Sequence, residues 1–197
     1  MKNIIYFIIA TAFYTNAIAQ EATTNGTPPD ERFGFSVGYF GDMIRNPGYF
    51  IGLENYLATT KNYQVIGSVI FTNYFLKQNF TALSLNPRIG LRYTSNFGIT
   101  LESHLGLGYL HRFYRFDDYD VNEQGEIVSK GKASQISAMP NLAVGLGYDF
   151  RRKTNLPLLY FLRGSINYNY PNRHFLFEAS IAIETGITYV PKFGKSK

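Results

Sequence analysis

From Arg32 to Val190, apolar side chains recur at every second position, and the positions between them hold both the glycines and the ionisable residues. A period of two marks extended strands, whose successive side chains point to opposite faces. Turn chemistry divides the pattern into eight segments, at 32–42, 48–58, 62–75, 80–94, 97–116, 133–150, 158–170 and 175–190. Each is longer than the ~5–6 residues of an ordinary soluble strand, and ~9–11 tilted residues suffice to cross a bilayer.

Four segments separate their faces cleanly. Phe33, Phe35, Val37 and Tyr39 alternate with Gly34, Ser36 and Gly38. In the fifth segment Phe97, Ile99, Leu101, Leu105, Leu107 and Tyr109 alternate with Gly98, Thr100, Glu102, His104, Gly106 and Gly108. The sixth sets Ile136, Ala138, Leu142, Val144, Leu146 and Tyr148 against Gln135, Ser137, Asn141, Gly145 and Gly147. The eighth sets Phe177, Ala179, Ile181, Ile183, Ile187 and Tyr189 against Glu178, Ser180, Glu184, Gly186 and Thr188. Segments two, four and seven follow less cleanly, and segment three is apolar on both faces over Val65–Phe71, which leaves its parity open.

A soluble sandwich or lipocalin-like carrier would bury the large apolar face. Here ten glycines (Gly34, Gly38, Gly52, Gly90, Gly98, Gly106, Gly108, Gly145, Gly147 and Gly186) share the face of the charges. Glycine weakens a soluble strand. The interior of an eight-stranded barrel is only just wide enough for side chains, so small residues must alternate there with long polar ones. The pattern predicts an all-β, eight-stranded, antiparallel up-and-down transmembrane β-barrel with its large apolar face towards lipid.

The rest of the sequence fits that expectation. Lys2, the apolar run Ile4–Tyr14 and Ala17-Ile18-Ala19 form a secretory signal peptide over 1–19, with cleavage after Ala19. A polar, Pro-containing lead-in over 20–31, the barrel over 32–191 and a basic tail over 192–197 complete the organisation. The absence of cysteine excludes disulfides, thiolate metal sites and lipid attachment at an N-terminal cysteine. Basic residues scatter over strand ends and tails, with Arg151, Arg152 and Lys153 on one turn, so the net charge of +5 points to lipid head groups and not to nucleic acid.

If the first strand leaves the periplasm, the turns at 58–61, 95–96 and 151–157 lie on the periplasmic side, and the longest connection, 117–132, lies outside. Within it Val121 and Ile127, flanking Asn122-Glu123-Gln124-Gly125, read as strands extended into a small hairpin above the membrane. Asp118, Asp120 and Asn122 have the opening spacing of a calcium loop. Glu123 stands where that loop needs its glycine and Ser129 where it needs the closing glutamate, so the metal motif fails. Two aromatic girdles are expected: Tyr49, Phe50, Phe75, Phe80, Phe113, Tyr114, Tyr168, Tyr170 and Phe175 outside, and Tyr56, Tyr63, Tyr93, Phe97, Tyr148, Phe150, Tyr160 and Tyr189 inside.

With these features the mature chain resembles the small eight-stranded outer-membrane barrels, the OmpA-like and OmpX-like group. The most specific part is the last strand. Glu184-Thr185-Gly186-Ile187-Thr188-Tyr189 matches the polar-x-Gly-x-x-aromatic signal that such barrels present to the insertion machinery, with Glu184, Gly186 and Tyr189 at the matching positions. Pro191 and the tail depart from the terminal phenylalanine of that pattern. The resemblance implies an outer-membrane location, contact with membrane lipid and lipopolysaccharide, and a structural or surface-interactive role with an unidentified surface partner.

On the parity above, the lumen carries Arg32, Arg88, Arg92 and Arg163 against Glu54, Glu102, Glu178 and Glu184, with His104 beside them. Charges in a narrow tube of low dielectric must pair, which predicts a closed polar network and not a conducting pore. The residues nearest to a catalytic pair are Glu102 and His104, two apart on one strand and therefore facing the same way. Ser103 points to the opposite face, so the pair lacks a nucleophile and reads as part of the network. His111 and His174 fall near the outer rim. No cofactor or metal is expected. A lipid-modifying enzyme, a narrow small-solute channel and a soluble lipocalin-like carrier stand as the alternatives.

Overall fold

The computed structural model describes residues 33–43, 46–77, 79–122, 124–154, 156–171 and 178–191. The signal peptide, the lead-in, Arg32, His174, Phe175 and the basic tail lie outside them. Eight strands follow in chain order: β1 (Phe33–Asp42), β2 (Asn46–Thr59), β3 (Tyr63–Leu76), β4 (Phe80–Thr94), β5 (Ile99–Val121), β6 (Ile127–Asp149), β7 (Leu158–Asn169) and β8 (Glu178–Tyr189). Each pairs antiparallel with its sequence neighbour, and β8 closes the ring against β1.

Closure satisfies the backbone of every strand and leaves no sheet edge within the ring, which is the condition for strands to lie in hydrocarbon. Following the cross-strand partners around the ring from Phe33 leads through Asn55, Gly67, Ile89, Leu105, Leu142 and Ile166 to Ile181. The carbonyl of Ile181 accepts from the amide of Met43, so one circuit climbs from position 33 to position 43 of the first strand. Such a stagger tilts the strands, by about 35–45° in closed barrels.

The wall has the expected polarity. Phe35, Leu101 and Ile181 are 54%, 52% and 62% exposed, whereas Glu102 and Glu184 are 5% and 0% exposed. Asp42, Glu54, Arg88, Arg92, Arg112, Asp149 and Arg163 are buried as well. The exposed ionisable residues of the strands, Arg115, Asp120, Lys130 and Lys132, sit where β5 and β6 rise above the ring. A surface of this kind is unfavourable in water at roughly 25 cal/mol per Å² of apolar area and is matched by a hydrocarbon solvent.

Register decides the parity that segment three left open. Ser68 stands opposite Glu54 and Arg88, and cross-strand partners share a face. Ile66, Ser68, Ile70, Thr72 and Tyr74 therefore point inward, while Val69 and Phe75 point outward.

The same rule corrects four girdle assignments, because Phe50, Tyr56 and the cross-strand partners Phe80 and Tyr114 all fall on the inward parity. Phe50 and Tyr56 fall on the inward parity of β2 and are buried: the Phe50 ring packs 5.8 Å from Phe161, and the Tyr56 hydroxyl donates to Glu54 at 3.4 Å. Phe80 and Tyr114 are half-buried, their rings 5.9 Å apart. The lumen is consequently less uniformly polar than expected, because Phe40, Phe50, Ile70, Tyr74, Leu110, Met139 and Phe161 form an apolar cluster inside it.

Two connections shape the ends. The turn before β5 extends to Gly98, whose φ of +94° suits a glycine, and so Phe97 belongs to the turn and β5 begins at Ile99. The long connection is a ribbon, as Val121 and Ile127 suggest: β5 and β6 remain paired up to those residues. At its tip the Asn122 side-chain oxygen accepts from the amides of Gln124 at 3.1 Å and Glu126 at 2.8 Å. On the other side a single helical turn, α1 (Arg151–Thr154), follows β6. It starts where the Arg151 amide donates to Asp149 Oδ1 at 3.0 Å.

Candidate functional site: the lumen ion network

Alternation delivers the charged side chains to the axis from four strands, of which only β4 and β5 pair with one another. Glu54 comes from β2, Arg92 from β4, Glu102 from β5 and Arg163 from β7, and the four close into a ring of charge-assisted hydrogen bonds. Arg92 donates through Nε to Glu102 Oε1 at 3.0 Å and through Nη2 to Glu54 Oε2 at 3.0 Å. Arg163 donates through Nε to Glu102 Oε2 at 2.8 Å and through Nη2 to Glu54 Oε1 at 3.1 Å. Each guanidinium thus bridges both carboxylates, a geometry that the planar fork of arginine allows and lysine does not.

Arg88 joins as a second unit, forked onto Glu184 of β8 at 2.9 and 2.6 Å. Arg163 Nη1 lies 3.9 Å from Glu184 and links the two units. His104 Nε2 meets Glu102 Oε2 at 2.9 Å. Three arginines therefore stand against three glutamates, and balance is what deep burial requires. Several kcal/mol are lost per isolated buried ion, and pairing together with filled lone pairs offsets that loss.

Glycine makes room for these long side chains. A Cβ at Gly145 would lie 2.6 Å from Arg163 Cγ, and one at Gly90 would lie 2.2 Å from His104 Nδ1. The shared face of glycine and charge in the sequence is thus a packing requirement: the Arg163 stem and the His104 ring occupy the space that a side chain at Gly145 or Gly90 would take. Arg163 is also held from one side by the Phe161 ring, 3.8 Å from its Cζ.

The structure brings together Glu54, Arg88, Arg92, Glu102, His104, Arg163 and Glu184. Glu178 stands apart at the outer mouth, where Arg112 donates to it at 2.6 Å. Arg112 was missed by sequence reading, although its even position on β5 continues the parity of Glu102 and His104 and would have found it. Glu102 and His104 face each other as their spacing requires, and Glu102 is shared with Arg92 and Arg163 while Ser103 lies on the exposed face. His111 sits on the outer side of the rim, its ring 3.9 Å from that of Phe113.

Chemically, this arrangement is a plug. Arg92 and Arg163 are 0% and 1% exposed, the Tyr56 ring lies 6.0 Å from the Arg92 guanidinium, and Phe161, packed on Phe50, covers that of Arg163. No group of three or more His, Asp or Glu that could hold a metal is present among the described residues.

No protein family and no curated protein matches the sequence. Among solved structures the fold is similar to that of Neisserial surface protein A, with 9% identity over 81% of this chain and 95% of that one and a TM-score of 0.53. It is also similar to Ail, the attachment invasion locus protein of Yersinia pestis, with 13% identity over 81% of this chain and 98% of that one and a TM-score of 0.51. The architecture is therefore that of the small eight-stranded outer-membrane barrels.

Proposed function

We propose that this chain is an integral outer-membrane β-barrel with a structural and surface-interactive role: its lumen is a closed strut, and its β5–β6 ribbon is presented to a partner outside the cell. The observation that carries the reading is the ribbon itself. It stands above the ring with Tyr119, Val121 and Ile127 exposed at 62%, 61% and 75%, beyond the band of wall that lipid would cover. Val121 and Ile127 are cross-strand partners, with Tyr119 two residues before Val121 on the same face, and a contiguous exposed apolar patch is the mark of an interaction site. The name of the similar Ail protein, an attachment invasion locus product, agrees with such a role.

The remaining parts of the proposal follow from this location. The signal peptide directs export and is removed after Ala19. The insertion machinery reads Gly186 and Tyr189 on β8 before that strand closes against β1, Tyr189 facing outward. Glu184, which shares the sequence signal, serves the folded state by pairing with Arg88. The charged flanks of the ribbon, Asp117–Lys132 and Asp120–Lys130, face the lipopolysaccharide layer.

The test is proximity labelling at the surface of cells carrying the full chain, compared with a variant in which 117–131 is replaced by a short turn. The expected result is that both proteins fractionate with the outer membrane and migrate faster unheated, while a labelled partner is lost only from the variant. Identical labelling patterns would remove the ribbon as the interaction element.

A further inference from the structure

We propose that the wall formed by β3 to β6 holds one anionic phospholipid at its periplasmic half, with the phosphate between Lys61 and Lys153 and an acyl chain in a groove over Ser103. The proposal rests on the membrane reading above and adds a specific ligand to it.

The groove has a volume of about 370 Å³ and is lined on the outer face by Val65, Ile89, Leu91, Ser103, Leu105 and Leu142. That lies within the ~300–1,000 Å³ of small-molecule sites. Its origin is local. Ser103 is a small residue standing between its cross-strand partners Leu91 and Val144, and Gly67, beside Ile89, has no side chain at all. The larger neighbours Leu101 and Leu105 rise on either side of Ser103 along β5. A furrow with an apolar lining in a wall that faces hydrocarbon fits a saturated chain.

The end of the furrow is basic. Tyr63 and Tyr93, with rings 5.2 Å apart, stand two residues below the Val65–Leu91 pair, about 7 Å along the strands. Lys61 lies in the turn beneath them and is exposed. Arg152 of α1 donates to the Lys61 carbonyl, which ties α1 to that turn. Lys153, next in the helix, holds its Nζ 5.7 Å from the Phe97 ring centroid, at the level of the aromatic girdle.

Among the described residues no carboxylate pairs with Lys61, Arg152 or Lys153, and Asp149 is taken by Arg151 at 2.7 Å. The opposite end of the barrel mixes both signs, with Lys130 paired to Asp120 and Lys132 to Asp117. The charge that complements the periplasmic end is therefore an anion at head-group depth, and the furrow above it requires that anion to carry a chain. A phospholipid has both parts in the right order.

The experiment places the full chain in phosphatidylcholine vesicles doped with phosphatidylglycerol that carries a photoreactive diazirine on one acyl chain, and maps the adducts by mass spectrometry. Adducts are expected on the β4 and β5 peptides around Leu91 and Leu105, several-fold above those formed by tagged phosphatidylcholine. Lys61→Gln with Lys153→Gln abolishes the preference for the anionic lipid, and the Lys61→Arg with Lys153→Arg pair retains it. Ser103→Leu removes the β5 adducts while the unheated gel shift persists.

Adducts spread evenly over all eight strands, or a preference unchanged in the Gln pair, would overturn the proposal. A tagged lipid A analogue captured in place of phosphatidylglycerol would overturn it too. Failure of the chain to give a heat-shifted, inserted species in any vesicle would instead refute the membrane reading itself.

Discussion

Arg163 of β7 reaches Glu102 of β5 across the barrel interior at 2.8 Å, joining two strands that share no backbone hydrogen bond. A contact of this kind braces the ring against shear in a way that neighbour pairing cannot.

Glu102→Gln therefore leaves Arg92, Arg163 and His104 short of a carboxylate in a buried site. Breaking such a pair costs about 3–5 kcal/mol. Glu178 lies at the outer mouth, where it accepts from Arg112 and Asn169 and its side chain is 30% exposed, so Glu178→Gln should cost less, about 1 kcal/mol. Denaturant unfolding of both variants in the same detergent checks the order, and equal losses would contradict the network described here.

Gly90→Ala places a methyl group 2.2 Å from His104 Nδ1 and 2.7 Å from the Ser103 carbonyl oxygen. Overpacking of this kind costs about 1–3 kcal/mol. Adding His104→Ala should restore only part of that, because the backbone contact remains. Gly164→Ala, where nothing lies within 4 Å of the new Cβ, should be neutral. Thermal midpoints of the three variants distinguish a packing role of glycine from a general tolerance.

The lumen predicts electrical silence. With Arg92 and Arg163 each bridging Glu54 and Glu102 in a buried network, and the Phe161 ring packed on Arg163, inserted wild-type protein should show no steady conductance in a planar bilayer. Sustained single-channel steps from a homogeneous, heat-shifted preparation would mean that the plug moves aside.

Above the ring, the Lys130 ammonium and the Val121 amide hold the Asp120 carboxyl below its ordinary range. A depressed carboxylate pKa contributes stability that is present above the unfolded pKa and is lost as pH falls through the folded one. Protection of the ribbon amides, taken relative to the intrinsic exchange rate at each pH, should therefore fall on acidification below the usual Asp range, modestly and less so in high salt, since both partners are solvated. Asp120→Asn should remove that pH dependence without altering the gel shift.

Much of the barrel was legible because its physics is periodic. The alternation of Ile99, Leu101, Leu105 and Leu107 with Thr100, Glu102, His104 and Gly106 fixes which way β5 faces whatever its neighbours do, and the turn chemistry between the eight segments fixes the strand number. Pairing gives what alternation cannot. The parity of β3 emerges only when Ser68 is set opposite Glu54 and Arg88. Phe50 and Tyr56 read as girdle residues because aromatics near strand ends are usually interfacial. They are inside because their inward parity on β2 overrides their height along the strand. That Arg92 and Arg163 would each bridge the same two glutamates depends on strand stagger around the ring, which no single segment encodes.

Reversed polarity is the central claim, and the chain lacks cysteine, so single cysteines can report it without background. Spin labels placed in turn at positions 99 to 107 of β5, in the full chain inserted in vesicles, should alternate. Labels at 99, 101, 105 and 107 should be relaxed by oxygen dissolved in lipid and untouched by a water-soluble nickel chelate, and those at 100, 102, 104 and 106 should be immobile and protected from both. Oxygen access on the even positions, or nickel access on the odd ones, would contradict the account.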